Sequence, residues 1–144
     1  MNEIISQKYI KFSYQIIIKE AHLDTFGHVN NATYLQLFEE ARWEFITQRG
    51  YGLNKIKSSK LGPVILECRI KFKKEIGLRE LITINSETIR YDKITGTMKQ
   101  VMINSEEQIC CEAEMIFGLF DTEKRKLVTP TEEWLAAIGE SNFA

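Results

Sequence analysis

The chain has 144 residues, of which 44% are hydrophobic and 27% are charged. This size and balance predict one globular domain, residues 1–144, that can bury a sizeable core. A formal net charge of −1 argues against a broad surface for nucleic acid or anionic membrane. No apolar run is long enough to span a bilayer.

The three cysteines, Cys68, Cys110 and Cys111, indicate a reducing environment. Their odd number and the adjacent pair do not suit a disulfide framework. No Cys-x-x-Cys and no paired-histidine spacing is present, so no structural zinc site is predicted. The amino-terminal residues also lack the basic and apolar segments of a secretory signal. We therefore expect a cytoplasmic protein whose cysteines are small core residues.

The first predicted elements are a strand over residues 9–18 and a long helix over Asn31–Gln48. In the strand every second residue is apolar, which is the period of a half-buried strand. In the helix the apolar residues recur at spacings of three and four, which predicts a wide buried stripe. Asn30 or Asn31 can cap the start of the helix, and Gly50 can end it.

From residue 63 onward the apolar period changes to two, which predicts strands joined by short turns. A short helix is predicted at 131–138 from its Pro-Thr-Glu-Glu start. The strands are predicted at residues 63–74, 80–91, 97–104 and 109–119. The first of them is predicted to turn four apolar residues to one face: Leu66, Cys68, Ile70 and Phe72.

The order strand, long helix, four strands predicts an α+β fold. Because short turns join antiparallel strands, one long helix is expected to be wrapped by a curved five-stranded antiparallel sheet. Such a sheet covers its helix on one side only. We therefore expect a second subunit to cover the other face or an edge.

Residues 22–31, HLDTFGHVNN, hold the residue types that acyl transfer needs. Asp24 can act as a general base or as a nucleophile, and Gly27 allows a sharp turn. Near Asn31 the predicted helix begins, and its free N–H groups favour negative charge and can hold an oxyanion. His28 can orient water or contact the substrate. The segment is therefore a candidate active site.

The same residue types also have a structural explanation. Asp, Gly and Asn are favoured in turns and helix caps, so the spacing alone leaves a purely structural role open. His22, which precedes the acid, is expected to be a structural residue at the end of the first strand.

Residues 24–42, DTFGHVNNATYLQLFEEAR, resemble the signature of the hotdog-fold acyl-CoA thioesterases of the 4-hydroxybenzoyl-CoA thioesterase-like superfamily. Members of that family show an Asp, two residues and a Gly, often followed by His-Val-Asn-Asn, then Tyr-Leu and a Phe-Glu-x-Ala-Arg segment on the helix. The order of elements over residues 8–122 also agrees. The resemblance implies a hotdog fold and a homodimer with a continuous sheet, often paired into a homotetramer.

The resemblance implies catalytic roles for Asp24, His28 and Asn31. The family's catalytic acid falls on Asp24, and the backbone N–H that polarises the thioester carbonyl falls at about Asn31. His28 and Asn30 match positions that line the site in many members. Asn30 is therefore expected to contact the substrate.

The resemblance also implies where the substrate binds. The acyl pocket is expected between the helix and a neighbouring subunit, lined by side chains such as Phe26 and Tyr34. The coenzyme A phosphates are often met near the turn between the third and fourth strands. Arg90 and Lys93 are the nearest candidates there.

The chain departs from the family pattern in the connection between the second and third strands. Lys74 stands where many relatives have Pro, and Arg79 and Glu80 replace a Gly-Asp pair. Because this segment is a connection rather than the chemical centre, we expect it to affect subunit packing or substrate scope more than catalysis.

The implied function is hydrolysis of an acyl-CoA, or of an acyl carrier protein thioester, without a metal or redox cofactor. Asp24 would act as general base or as nucleophile, and the sequence leaves both routes open. Two alternatives also remain. One is a hydratase or dehydratase of the same fold, which the Asp-x-x-Gly-His spacing favours less. The other is a non-catalytic module that binds acyl thioesters.

Overall fold

The computed structural model describes residues 8–143. No helix among these residues is both long and apolar enough to cross a membrane. In chain order the elements are β1 (Phe12–Ile17), a 3-10 helix (Glu20–His22), α1 (Asn31–Gln48), α2 (Leu53–Ser59), β2 (Leu61–Phe72), β3 (Leu81–Asp92), β4 (Thr95–Ile103), β5 (Ile109–Asp121), β6 (Lys126–Val128) and α3 (Glu132–Ala137).

The strands form one antiparallel sheet in the order β1-β3-β4-β5-β2, and β6 pairs with the end of β5. The predicted α+β architecture, with one long helix and a five-stranded antiparallel path, is confirmed. The sequence pattern does not predict β6 or α2. Both are short, and a three-residue strand shows no period that could be recognised.

The long helix α1 has the bounds that the sequence predicts. Its fully buried residues Phe38, Ala41 and Phe45 recur at spacings of three and four and pack against the concave side of the sheet. Burying each phenylalanine stabilises the fold by roughly 1.5–3 kcal/mol. The helix is thus held as a rigid axis, and its amino terminus is fixed with it.

Both ends of α1 are capped as expected. The side chain of Asn30 accepts a hydrogen bond from the N–H of Ala32. At the other end Gly50 has a φ of +86°, and the N–H groups of Gly50 and Tyr51 bond back to the carbonyls of Thr47 and Ile46. This pair of bonds is a Schellman motif, which favours glycine at the left-handed position.

The strand β2 differs from its predicted register. A bulge between Ile65 and Glu67 leaves Leu66 without a partner on β5, so Ile65, rather than Leu66, is in register with Cys68, Ile70 and Phe72. Cys68 is also exposed rather than in the core, because the end of the sheet at β2 is not covered by the helix.

An apolar surface remains exposed along β2 and the adjacent side of α1. Within the described chain β2 pairs only with β5, so its outer edge carries no further strand. The exposed apolar surface consists of Leu35, Trp43, Ile65, Leu66 and Phe72. It lies where the sequence predicts that a second subunit is needed.

Candidate active site

The loop before α1 is closed by hydrogen bonds around Asp24. The Asp24 N–H donates to the carbonyl of His28 at 2.8 Å, and the Gly27 N–H donates to the carbonyl of Asp24 at 3.1 Å. A β-bridge between Leu23 and Val29 joins the two ends of this loop. Gly27 has a φ of +82°, a conformation that glycine adopts at little cost. The tight turn that the sequence predicts is therefore present.

The carboxylate of Asp24 has one occupied and one free oxygen. Its Oδ1 accepts the N–H groups of Phe26 at 2.9 Å and of His28 at 3.3 Å, as in an Asx turn. Its Oδ2 has no hydrogen-bond donor within residues 8–143. Asp24 therefore shapes the loop through one oxygen and keeps the other available for chemistry.

The first turn of α1 leaves one N–H group without an acceptor. The Ala32 N–H is capped by the side chain of Asn30, and the N–H groups of Thr33 and Tyr34 bond to the Asn30 carbonyl. Across the described part of the chain nothing accepts the N–H of Asn31. This donor carries the positive end of the helix dipole, so it can stabilise an oxyanion.

A groove of about 470 Å³ opens between the motif loop and the end of β2. Five of the predicted site residues line it together: Asp24, Phe26, His28, Asn31 and Tyr34. The opposite wall is made by Phe72 and the residues that follow it, Lys73, Lys74 and Glu75. The structure thus brings the acid, the histidine and the free N–H donor onto one opening.

The wall beyond β2 belongs to the connection that was expected to lie outside the chemical centre. The Nε2 of His28 lies 3.2 Å from Oε2 of Glu75. The backbone of His28 forms a β-bridge with Gly77, and the Val29 N–H donates to the carbonyl of Ile76 at 3.0 Å. The connection with Lys74 in place of Pro is therefore part of the groove. No local signal in the sequence indicated this contact.

The floor of the groove is aromatic. The buried Tyr34 ring meets Phe72 edge to face, with ring centroids 5.2 Å apart. Burial, followed by the nearby thiols of Cys111 and Cys110, raises the pKa of Tyr34 to about 12. Tyr34 thus stays protonated at neutral pH and serves as an apolar wall rather than as a base.

Other predicted residues lie outside the groove. Asn30 is not among its lining residues, and its side chain caps α1 instead. Arg90 pairs at 3.6 Å with Asp92 and lines another opening, of about 610 Å³, on the outer side of the sheet, while Lys93 lies in the β3–β4 turn. Their contacts with substrate stay predictions.

His22 is structural, although it belongs to the 3-10 helix and not to the end of a strand. Its Nδ1 accepts the N–H of Lys19 at 2.9 Å, and its carbonyl accepts the N–H of Asn30. Among residues 8–143 no group of three or more His, Cys, Asp or Glu side chains is arranged to hold a metal ion.

A family model described as the thioesterase-like superfamily matches residues 18–138. The chain belongs to this superfamily. It is 29% identical over 113 residues to the long-chain acyl-CoA thioesterase FadM of Escherichia coli (strain K12), a match that covers 78% of this chain and 85% of FadM. The predicted thioesterase family is confirmed.

Solved structures of similar proteins have the same fold as this chain. YbaW, a probable thioesterase from Escherichia coli, superposes with a TM-score of 0.79 at 27% identity, over 88% of this chain and 98% of YbaW. A Staphylococcus aureus protein in complex with CoA superposes with a TM-score of 0.84 at 15% identity, over 92% and 84% of the two chains. The predicted hotdog fold is thus confirmed.

Proposed function

We propose that the protein hydrolyses acyl-CoA thioesters, with Asp24 driving the attack on the thioester carbonyl and Asn31 holding the oxyanion through its N–H. The proposal rests on one observation: the free carboxylate oxygen of Asp24 and the free N–H of Asn31 belong to residues that line the same groove. Membership of the thioesterase-like superfamily, the FadM relative and the CoA complex of a similar fold support the substrate class.

Asp24 can drive the reaction in two ways that use the same free oxygen. As a general base, Oδ2 takes a proton from water while the water oxygen attacks the carbonyl carbon. As a nucleophile, Oδ2 attacks directly, the thiolate leaves, and water then hydrolyses the mixed anhydride. The two N–H groups on Oδ1 hold the carboxylate in place in both cases. Label found in Asp24 after a single turnover in ¹⁸O-water would establish the nucleophilic route, because it requires water to attack the Asp24 carbonyl carbon of the anhydride.

The oxyanion is stabilised by the amino terminus of α1. When the carbonyl carbon becomes tetrahedral, its oxygen gains negative charge and accepts a hydrogen bond from the Asn31 N–H. A fixed donor of this kind contributes about 3–4 kcal/mol to transition-state stabilisation in other acyl-transfer sites. His28 lies beside Asp24 on the groove and positions the attacking water or the substrate.

Replacement of Asp24 by Asn tests the proposal. We expect Asp24→Asn to lower kcat at least 100-fold for acyl-CoAs of every chain length, because base or nucleophilic catalysis contributes about that much or more. The matched control is Asp121→Asn. Oδ1 of Asp121 also accepts two backbone N–H groups, but Asp121 ends β5 and does not line the groove. Wild-type rates for Asp24→Asn across the panel would refute the proposed mechanism.

The substrate and assembly form part of the same proposal. The named activity of FadM makes long-chain acyl-CoAs the first substrates to assay, with acyl carrier protein thioesters as the comparison. A second copy of the chain is proposed to cover the exposed apolar surface and to pair with β2 along its free edge, as a homodimer. The outer side of the sheet carries charged residues such as Glu67, Arg69 and Lys99, so sheet-to-sheet packing of a tetramer has no comparable support.

A further inference from the structure

A second cavity, of about 200 Å³, lies beneath the carboxy-terminal half of α1. Its charged lining residues are Glu39 and Arg42. Arg42 follows Asn31 by eleven residues, so it lies roughly 16 Å farther along the helix axis than the oxyanion donor. The apolar walls include Trp43, Ile46, Met98, Phe117 and Trp134. This cavity is therefore separate from the candidate active site.

The guanidinium of Arg42 is held in this cavity by neutral groups. Its Nη1 donates to Oε1 of Gln100 at 2.9 Å and to Sδ of Met115 at 2.9 Å. Gln100 is fully buried, and its Nε2 donates to the Phe38 carbonyl and to Oγ of Ser86, each at 2.9 Å. These two bonds fix the orientation of the Gln100 amide, with its oxygen facing Arg42. The fixed oxygen in turn holds the guanidinium in place.

Arg42 lacks a counter-ion in the described structure. No carboxylate of residues 8–143 lies within ion-pair distance of its guanidinium. Burial lowers the pKa of Arg42, and the negative charge of Glu39 one turn earlier opposes this only in part. A guanidinium carries five N–H donors, and a buried cation without an anion is costly. The cavity therefore combines apolar walls with one cation that lacks a paired anion.

We propose that this cavity binds an organic carboxylate, with the apolar body of the ligand among the aromatic walls and its carboxylate on Arg42. A planar guanidinium forms its strongest hydrogen bonds with carboxylates. An apolar cavity of roughly 150 Å³ can bind benzene, so a cavity of about 200 Å³ has room for a somewhat larger organic group. The ligand is thus an aliphatic or aromatic carboxylate of medium size.

Two sources supply this chemistry. One is a free carboxylic acid, such as the acid that thioester hydrolysis releases. The other is the far carboxylate of a dicarboxylic acyl chain that is still attached to its thiol carrier. Both present a carboxylate on an apolar body, and hydrolysis assays can distinguish them.

Tryptophan fluorescence reads this cavity directly, because both tryptophans of the chain, Trp43 and Trp134, line it. Titration with octanoate is expected to change the emission saturably. Octanoate should bind at least tenfold more tightly than octan-1-ol, which has the same chain but no charge. Equal affinity for the two ligands, or no saturable change with octanoate, would overturn the proposal.

Variants of Arg42 test whether this residue causes the preference for octanoate over octan-1-ol. Arg42→Met should lose the preference for octanoate and Arg42→Lys should keep part of it. The matched control Arg49→Met should behave as wild type, because Arg49 bonds the Ala136 carbonyl outside the cavity. If Arg42→Met does not fold, the comparison of octanoate with octan-1-ol still decides. Dissociation of an oligomer by Arg42→Met, without octanoate binding to the wild type, would assign the counter-ion to a second subunit and refute the proposal.

Hydrolysis assays identify the source. If octanoate inhibits hydrolysis and Arg42→Met relieves this inhibition, the ligand of the cavity is a free acid. Preference for tetradecanedioyl-CoA over tetradecanoyl-CoA that Arg42→Met removes assigns the ligand to a dicarboxylic acyl chain, since a chain of this length spans the roughly 16 Å from the oxyanion donor. Since the fluorescence titration needs no turnover and can be repeated in Asp24→Asn, its failure is distinguishable from failure of the proposed hydrolysis.

Discussion

The Nε2 of His28 lies 3.2 Å from Oε2 of Glu75, and this pair joins the motif loop to the segment after β2 across the candidate groove. The side chains of His28 and Glu75 are 42% and 77% exposed, so the pair contributes little to the free energy of unfolding. The contact instead bears on where the imidazole of His28 lies beside Asp24. We therefore expect Glu75 to act as a positioning residue in the proposed reaction.

Replacement of Glu75 should separate positioning from stability. We expect Glu75→Ala to lower kcat/KM several-fold and Glu75→Gln to lower it less, because glutamine keeps an oxygen that accepts from the imidazole. The free energy of unfolding should change by less than about 0.5 kcal/mol in both. Kinetics and urea unfolding measure the two effects. Glu123→Ala, in the exposed β5–β6 turn, is the control, and an equal kcat/KM for the Glu75 and Glu123 variants would contradict the role.

The elements set by local pattern were predictable, and the contacts between distant segments were not. The bounds of α1 follow from an 18-residue apolar repeat with Asn30 and Gly50 at its ends. The contact between His28 and Glu75 joins residues that are 47 positions apart, and nothing local to either one indicates it. The bulge at Leu66 likewise depends on how β2 pairs with β5. Five residues expected at one site therefore do line one groove, while one wall of that groove was not predicted.

Variants of Asn30 test whether its side chain contacts the substrate, as the resemblance predicts, or caps α1, as the structure shows. Asn30→Ala should lower the free energy of unfolding by about 1 kcal/mol, whereas Asn30→Ser should keep most of the stability. Urea unfolding and kcat/KM are measured on the same samples. If Asn30→Ser keeps its stability but loses activity, Asn30 contacts the substrate directly and capping is not its main role.

The proposed dimer depends on the exposed apolar surface beside the free edge of β2. Leu66 is 45% exposed and lines neither the groove nor the Arg42 cavity, so a charge there tests assembly alone. We expect the wild type to sediment at twice the 16.8 kDa chain mass and Leu66→Lys as a monomer. The control is Ile89→Lys, which places the same charge at a similarly exposed residue of β3. A monomeric wild type, or a Leu66→Lys variant that remains dimeric, would exclude this interface.

Alkaline pH should destabilise the fold because the pKa values of three groups are raised to about 12: Tyr14, Tyr34 and Cys111. Burial is the main cause for each, and Tyr14 also donates a hydrogen bond to Glu40 at 2.8 Å. In the unfolded chain these groups lose their protons near pH 8.5 for the thiol and 10 for the phenols. Above those values the native state binds more protons than the unfolded state, so the free energy of unfolding falls as pH rises toward about 12.

Urea unfolding at pH 7 to 11 measures this slope. The urea midpoint should be nearly constant up to about pH 8 and then decrease, since the thiol titrates first in the unfolded chain and the phenols follow. Tyr34→Phe removes one of the raised groups and keeps the ring that packs on Phe72. Its midpoint should therefore decrease less steeply than that of the wild type above pH 9. If the urea midpoint decreased with the same slope in both proteins, the Tyr34 phenol would not be one of the groups that cause the decrease.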